Sequence, residues 1–177
     1  MKPSMVAVGL AFGARLMAQP GAPDLAHARA EFHLTVHLPY AEAAPLFGAW
    51  AEQKWAPEWK PQFLYPSPPA DQEGAVFKVE HGSHSSIWVT TIFEIGAGHI
   101  QYVYILNQVL ITRIDIRLRR EGADATGVSV SYERTALNPA ANEHLKLLAR
   151  KDSEQAPEWQ AALDAYASQV KAPNGSR

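Results

Sequence analysis

Cysteine is absent from the 177 residues. That excludes disulfide staples, thiolate catalysis and a zinc site built on sulfur. Charge is sparse and nearly balanced, 16 Lys and Arg against 18 Asp and Glu, for a formal net charge of -2. A nucleic-acid reader would need a concentrated basic face. The one dense basic group, Arg113, Arg117, Arg119 and Arg120, encloses Asp115 and reads as a solvated strand face, so no nucleic-acid partner is expected. Long apolar runs are missing too. The N-terminal run from Met5 to Ala14 has ten residues, about half of what a membrane-spanning helix needs, and no stable membrane insertion is expected. Neither a nucleophile elbow nor a phosphate-binding glycine loop occurs, and the sequence leaves the oligomeric state open.

That apolar run follows Lys2 and is followed by Arg15, with a small-x-small site at Ala26-His27-Ala28. Its length suits the core of a secretory signal, whereas a charge directly behind it does not. Residues 1–28 are therefore a cleaved signal, placing the protein in the periplasm or outside the cell, or a disordered extension of a cytoplasmic protein. Residues 29–170 are expected to form one domain and 171–177 a disordered tail.

The stretch from Gly74 to Ala136 is five strand-like runs in succession, 75–81, 87–94, 100–106, 109–119 and 128–136. Each is rich in β-branched and aromatic residues and bounded by Gly, Asn, Asp or Ser. No crossover helix fits between them, so they must pair as antiparallel hairpins. Upstream, Glu31 to Leu38 alternates, with Phe32, Leu34, Val36 and Leu38 on one face and Glu31, His33, Thr35 and His37 on the other. Those histidines come with no third ligand beyond Glu31, and no metal is assigned.

Tyr40 to Trp55 predicts two short helical pieces, with Pro45 at a first turn and Gly48 at the break. The segment Trp55-Ala56-Pro57-Glu58-Trp59-Lys60-Pro61 must be a loop, because its prolines forbid a regular helix. Its tryptophans either plug one end of the core or line a pocket. Gln62 to Tyr65 makes a short strand. After the meander, Asn138-Pro139 caps a helix that Pro157 kinks or restarts. Trp159, Leu163, Tyr166 and Val170 then form one apolar stripe toward the sheet.

The fold class expected is α+β. It is a seven-stranded curved antiparallel sheet gripping a long C-terminal helix, with two short helices after the first strand. This order, with Trp55, Pro57 and Trp59 and with Tyr132, Thr135, Ala136 and Leu137 at a strand end, resembles the START/polyketide-cyclase (SRPBCC) superfamily and its helix-grip fold. The resemblance covers Phe32 to Tyr166. It departs at Gly48-Ala49-Trp50-Ala51-Glu52, where only the glutamate of the pattern is kept, and at Ala141-Asn142. The resemblance implies an internal cavity for a small hydrophobic ligand such as a lipid, an aromatic compound or a polyketide-like metabolite, with no cofactor.

Strand period says which side chains would face that cavity. Leu110, Thr112, Ile114, Ile116 and Leu118 must point inward, because Arg113, Asp115, Arg117 and Arg119 cannot. Phe77, Val79 and His81 share one face of their strand, and Val128, Val130, Tyr132 and Arg134 one face of theirs. Arg134 is the anomaly, a cation on the inner face; Glu52 is the candidate partner, and escape to solvent at the strand end the alternative. Trp88, Tyr102 and Tyr104 lie in strands apolar on both faces, which leaves them unoriented. The candidate ligand-binding set is Glu52, Trp55, Trp59, Phe77, His81, Trp88, Tyr102, Thr112, Ile114, Tyr132 and Arg134, with no catalytic residue assigned. Binding or carriage of a hydrophobic or amphipathic molecule is the leading expectation. The alternative is a metal-free cyclase or dehydratase using Glu52, His81, Tyr132 and Arg134 as acid/base groups; a co-chaperone-like interaction module is a third.

Overall fold

The computed structural model describes residues 24–82 and 84–172, apart from the side chain of His81. The leader expected at the N-terminus, up to residue 23, and the last five residues of the expected tail lie outside the described residues.

Seven strands form one antiparallel sheet: β1 (His27–Val36), β2 (Gln62–Tyr65), β3 (Val76–His81), β4 (His84–Glu94), β5 (His99–Leu106), β6 (Leu110–Arg120) and β7 (Thr126–Ala136). Their order is β1-β7-β6-β5-β4-β3-β2, so the first strand closes against the last. Alternation decides which face is covered. Phe32, Leu34 and Val36 of β1, Val128, Val130 and Tyr132 of β7 and Ile114, Ile116 and Leu118 of β6 are all buried on the inner side. On the outer side Arg113 pairs with Glu133, Arg117 with Asp115 and Arg119 with Glu121. Arg120, at the strand's end with the parity of the inner residues, lies over the Tyr40 ring. The arginine-rich strand is thus a solvated face. His37 bonds to Asp164 at 2.8 Å and His33 approaches Glu31 at 3.7 Å.

Tight connections hold this meander in register. The link from β4 to β5 ends on Gly98 at φ 68°, and a Cβ there would stand 2.2 Å from the Leu118 carbonyl oxygen. Only glycine meets both conditions. Between β4 and β5 the register slips at Thr90/Ile92, a bulge that bends the strand and helps curve the sheet.

The helical elements cover the inner face. A four-residue helix α1 (Tyr40–Ala43) and two 3-10 turns (Ala44–Phe47, Ala51–Lys54) follow β1. The C-terminal helix comes in two pieces, α2 (Asn142–Ser153) and α3 (Ala156–Lys171), with Pro157 in the first turn of the second. Asn138 caps the entry, its side chain accepting from the Ala141 amide at 3.1 Å. Leu163 and Ala167 of α3 are buried in the core with Phe32, and Trp159 packs against them. Gln160 reaches across to β1, accepting from the Thr35 amide and donating to the Thr35 carbonyl. The expected stripe is shorter than its spacing implies, because Val170 is 49 % exposed, beyond the reach of the sheet.

The chain joins the fold before the expected start at residue 29. Strand β1 begins at His27, the Ala26 carbonyl accepts from the Ala136 amide, and Asn142 clasps the segment from both sides. Its side chain accepts from the Ala26 amide at 2.8 Å and donates to the Asp24 carbonyl at 2.9 Å. Ala26 and Ala28 pack on a small cluster of Ala136, Ala141 and Leu145. Replacing Asn142 by Ala is expected to cost about 1–2 kcal/mol in denaturant unfolding, the worth of two net hydrogen bonds. A variant as stable as the parent would show that the clasp contributes nothing.

Candidate functional site

Between sheet and helices lies a cavity of about 270 Å³. Each strand from β3 to β7 contributes inward side chains: Phe77, then Trp88, then Tyr102 and Tyr104, then Ile114 and Ile116, then Tyr132 and Arg134. Glu52 of the second 3-10 turn and Trp59 of the proline-rich loop close one side, with Gln155 and Trp159 from the start of α3.

Most of the polar rings are fixed in place because their polar ends are already engaged. The Trp59 indole donates to the Ala49 carbonyl and that of Trp55 to the Leu46 carbonyl, both at 2.8 Å. The Trp88 indole donates to the Ser86 hydroxyl at 2.7 Å. The Tyr102 hydroxyl donates to the Phe47 carbonyl at 2.9 Å, and that of Tyr132 to the Gln155 side chain at 3.2 Å. Trp88 stacks on Tyr104 with centroids 4.1 Å apart and meets Trp59 edge-on at 5.3 Å. Trp159 meets Trp55 edge-on at 5.2 Å.

Besides Gln155, two ionisable groups, an arginine and a glutamate, interrupt this aromatic lining. The first is Arg134, 5 % exposed, whose guanidinium donates to both oxygens of Asp152 at 2.6 and 2.8 Å. It also donates to the Thr112 hydroxyl at 2.8 Å and to the Tyr104 hydroxyl. Burial alone would pull the guanidinium down, but the hydrogen bonds and charge of Asp152 hold it above its ordinary value. Burial, followed by the Asp152 and Glu52 carboxylates, pushes the Tyr132 phenol up.

The second is Glu52. Its carboxyl has no hydrogen-bond or ion-pair partner among the described residues. Removal from water, then Asp71, then Glu58 push it up to about 8. Asp71 stays close because its oxygens accept from the Trp50 and Ala51 amides at 2.7 and 3.0 Å. That approach needs the bare backbone of Gly48, where a Cβ would stand 2.3 Å from the carboxyl carbon.

Glu52, Trp59 and Trp159 also line a second recess of about 260 Å³ on their other side, with Trp55, Ala56, Glu58, Val79, Glu80, Glu158 and Ala162. The two recesses share that one partition.

Of the expected set, Glu52, Trp59, Phe77, Trp88, Tyr102, Ile114, Tyr132 and Arg134 meet on the cavity wall. Trp55 stands behind it, 6 % exposed and facing the second recess. Thr112 is fully buried and holds Arg134 without reaching the wall. The His81 side chain lies outside the described residues. Arg134 neither pairs with Glu52 nor reaches solvent, as was expected of it. Asp152, on the last turn of α2 and 2 % exposed, takes it instead. Tyr104, Ile116, Gln155, Trp159 and Asp152 complete the site. Among the described residues no three His, Asp or Glu side chains are grouped to hold a metal ion, and no helix is long and apolar enough to cross a membrane.

No family model and no curated protein matches the chain. Solved structures do. Norcoclaurine synthase from Thalictrum flavum superposes with TM-score 0.61 at 12 % identity, over 96 % of this chain and 98 % of its own. An aromatase/cyclase, Zhui, from a Streptomyces species gives 0.60 at 15 %, over 85 % and 100 %. A START superfamily protein from Mycobacterium smegmatis gives 0.60 at 16 %, over 82 % and 100 %. The chain therefore has the helix-grip fold of the START and cyclase proteins.

The buried pair makes the wall brittle. Asp152→Ala is expected to cost about 3–5 kcal/mol, because it leaves a buried guanidinium unpaired. Replacing both partners, Arg134→Met with Asp152→Leu, should recover most of that in denaturant unfolding. Equal loss in single and double variants would refute this account. Glu52 predicts a pH signature. Its carboxyl is ordinarily near 4.5 and is raised in the folded state to about 8. Between those values the folded chain holds more protons than the unfolded one, so stability falls as pH rises through the window. Glu52→Gln should lack this slope, so the variant should gain on the parent between pH 5 and pH 8 in parallel unfolding curves.

Proposed function

We propose that this protein binds or carries a small aromatic or amphipathic molecule in the cavity between sheet and helix. One observation carries the reading: seven of the twelve residues lining a 270 Å³ space are aromatic, and five of them, Trp59, Trp88, Tyr102, Tyr104 and Tyr132, have their polar ends committed to protein partners. Such walls offer a guest large apolar faces at little cost in side-chain ordering. The helix-grip neighbours support a hydrophobic cargo at the level of the fold. A lipid with a long acyl chain fits the volume less well than a compact ring system. The site residues act as a wall, with Arg134 and Tyr104 at one polar point and Glu52 at the other.

A cyclase or dehydratase reading rests on a different observation, the Glu52 carboxyl held protonated into the neutral range beside an apolar space. A group so poised matches the demand on a general acid. The carrier reading is preferred because, among the described residues, no second free acid/base group lines the inner cavity with Glu52.

The two tryptophans of the proline-rich loop separate wall from core. Trp59→Ala should weaken binding of naphthol, followed by calorimetry, about tenfold, the worth of one aromatic contact. Trp55→Ala should instead cost about 3–5 kcal/mol of stability, as for other buried aromatics. Naphthol affinity unchanged in Trp59→Ala would sink the proposal.

A further inference from the structure

The inner cavity and the outer recess differ in charge, and the difference says what kind of guest suits the partition between them. The outer recess carries Glu58, Glu80 and Glu158 and no basic residue, and Glu52 stands in the shared wall. On the inner side the one cation, Arg134, is already neutralised by Asp152. Glu52 has no hydrogen-bond or ion-pair partner among the described residues, so its carboxyl is the one acidic group of the cavity left for a guest. Around it stand π faces: Trp59 and Trp159 share its wall, and Tyr102 and Tyr132 lie near enough for its charge to be felt at their phenols. An unpaired carboxyl ringed by aromatic faces suits a cation, which the ring quadrupoles and the carboxylate both attract. An anion would meet Glu52, with Glu58 and Glu158 behind it in the outer recess and Glu80 already paired with Lys78.

We propose that the guest is an amphipathic cation whose aromatic body fills the inner cavity and whose ammonium group is seated against Glu52. This rests on the carrier reading above and names the chemical class of its cargo.

The seat also links binding to proton release. In the empty protein Glu52 is held in its neutral form by burial, then by Asp71 from the loop before β3 and Glu58 from the proline-rich loop. Glu158 from α3 and Glu80 from β3, the latter paired with Lys78, line the same outer recess. Lys54, on its own turn, offsets Asp71. An arriving ammonium favours the carboxylate, so Glu52 gives up its proton to solvent as the guest binds.

Three probes share one ring and differ in charge: naphthylmethylamine, naphthylmethanol and naphthoate. Calorimetric titration of the whole chain at pH 7, in buffers of different ionisation enthalpy, reads affinity and proton release together. The amine should bind about tenfold more tightly than the alcohol, as a charge-assisted hydrogen bond would give, with naphthoate the weakest. Amine binding should release close to one proton and alcohol binding none. In Glu52→Gln the amine should lose its advantage over the alcohol and its proton release. Alcohol or naphthoate binding as tightly as the amine would overturn the inference and leave the carrier reading standing. Failure of all three to bind would overturn both. Proton release is measured on the parent chain, so the test holds even if the variant does not fold.

Discussion

The buried pair of Arg134 and Asp152 is the constraint on which the rest of the structure depends. A guanidinium sealed inside a sheet must be answered with geometry as well as charge, and the answer comes from the last turn of α2. That contact fixes where α2 stops. Because α3 restarts only three residues later, it also fixes where α3 begins, and so where Gln155 and Trp159 hang over the cavity. The remaining donors of Arg134 go to Thr112 and Tyr104, drawing β6 and β5 into the same network. One cation thus ties three strands to the helix break and sets the roof of the cavity.

The fold was legible because its signals are local. Alternation in β1, β6 and β7 marks the inner face, glycine and asparagine mark the turns, and the lack of crossover segments leaves only hairpins. The site was half legible for the same reason. Residues on clearly alternating strands could be oriented, whereas Trp88, Tyr102 and Tyr104 could not, since β4 and β5 are apolar on both faces. The missing information is the length of the turn, three residues from Asn107 to Val109. A two-residue turn at Asn107-Gln108 would set Leu106 opposite Val109 and turn both tyrosines outward. The three-residue turn sets Leu106 opposite Leu110, which puts Tyr104 opposite Thr112 and Tyr102 opposite Ile114. Residues opposite one another share a face, so the orientation of β6 carries over to β5.

Asp152 was beyond such reasoning. It lies on a helix among Arg150, Lys151, Ser153 and Glu154, where an aspartate reads as one more solvated charge, and only tertiary docking buries it. Glu52 shows the converse. Its place in the short-helix segment after β1 made it the candidate partner of Arg134, but that cation belongs to another carboxylate, and Glu52 is left without a partner among the described residues. The departure of β1 from its expected start has a similar origin. The polar clasp of Asn142 acts across more than a hundred residues of chain, and no local pattern records it.

The pairing of β1 with β7 has a consequence for how the chain comes to be folded at all. His27 lies opposite Thr135, so the opening strand stays without its partner until nearly the whole domain has been synthesised. The hairpins from β3 to β7 can form early, because their contacts are close in sequence, whereas closing the largest loop comes at a steep entropic cost before any contact rewards it. Until then Phe32, Leu34 and Val36 remain without their cover, and the exposed edge of β7 is open to any other strand. Assembly of this domain on the ribosome is therefore a race between its last strand and a stranger's.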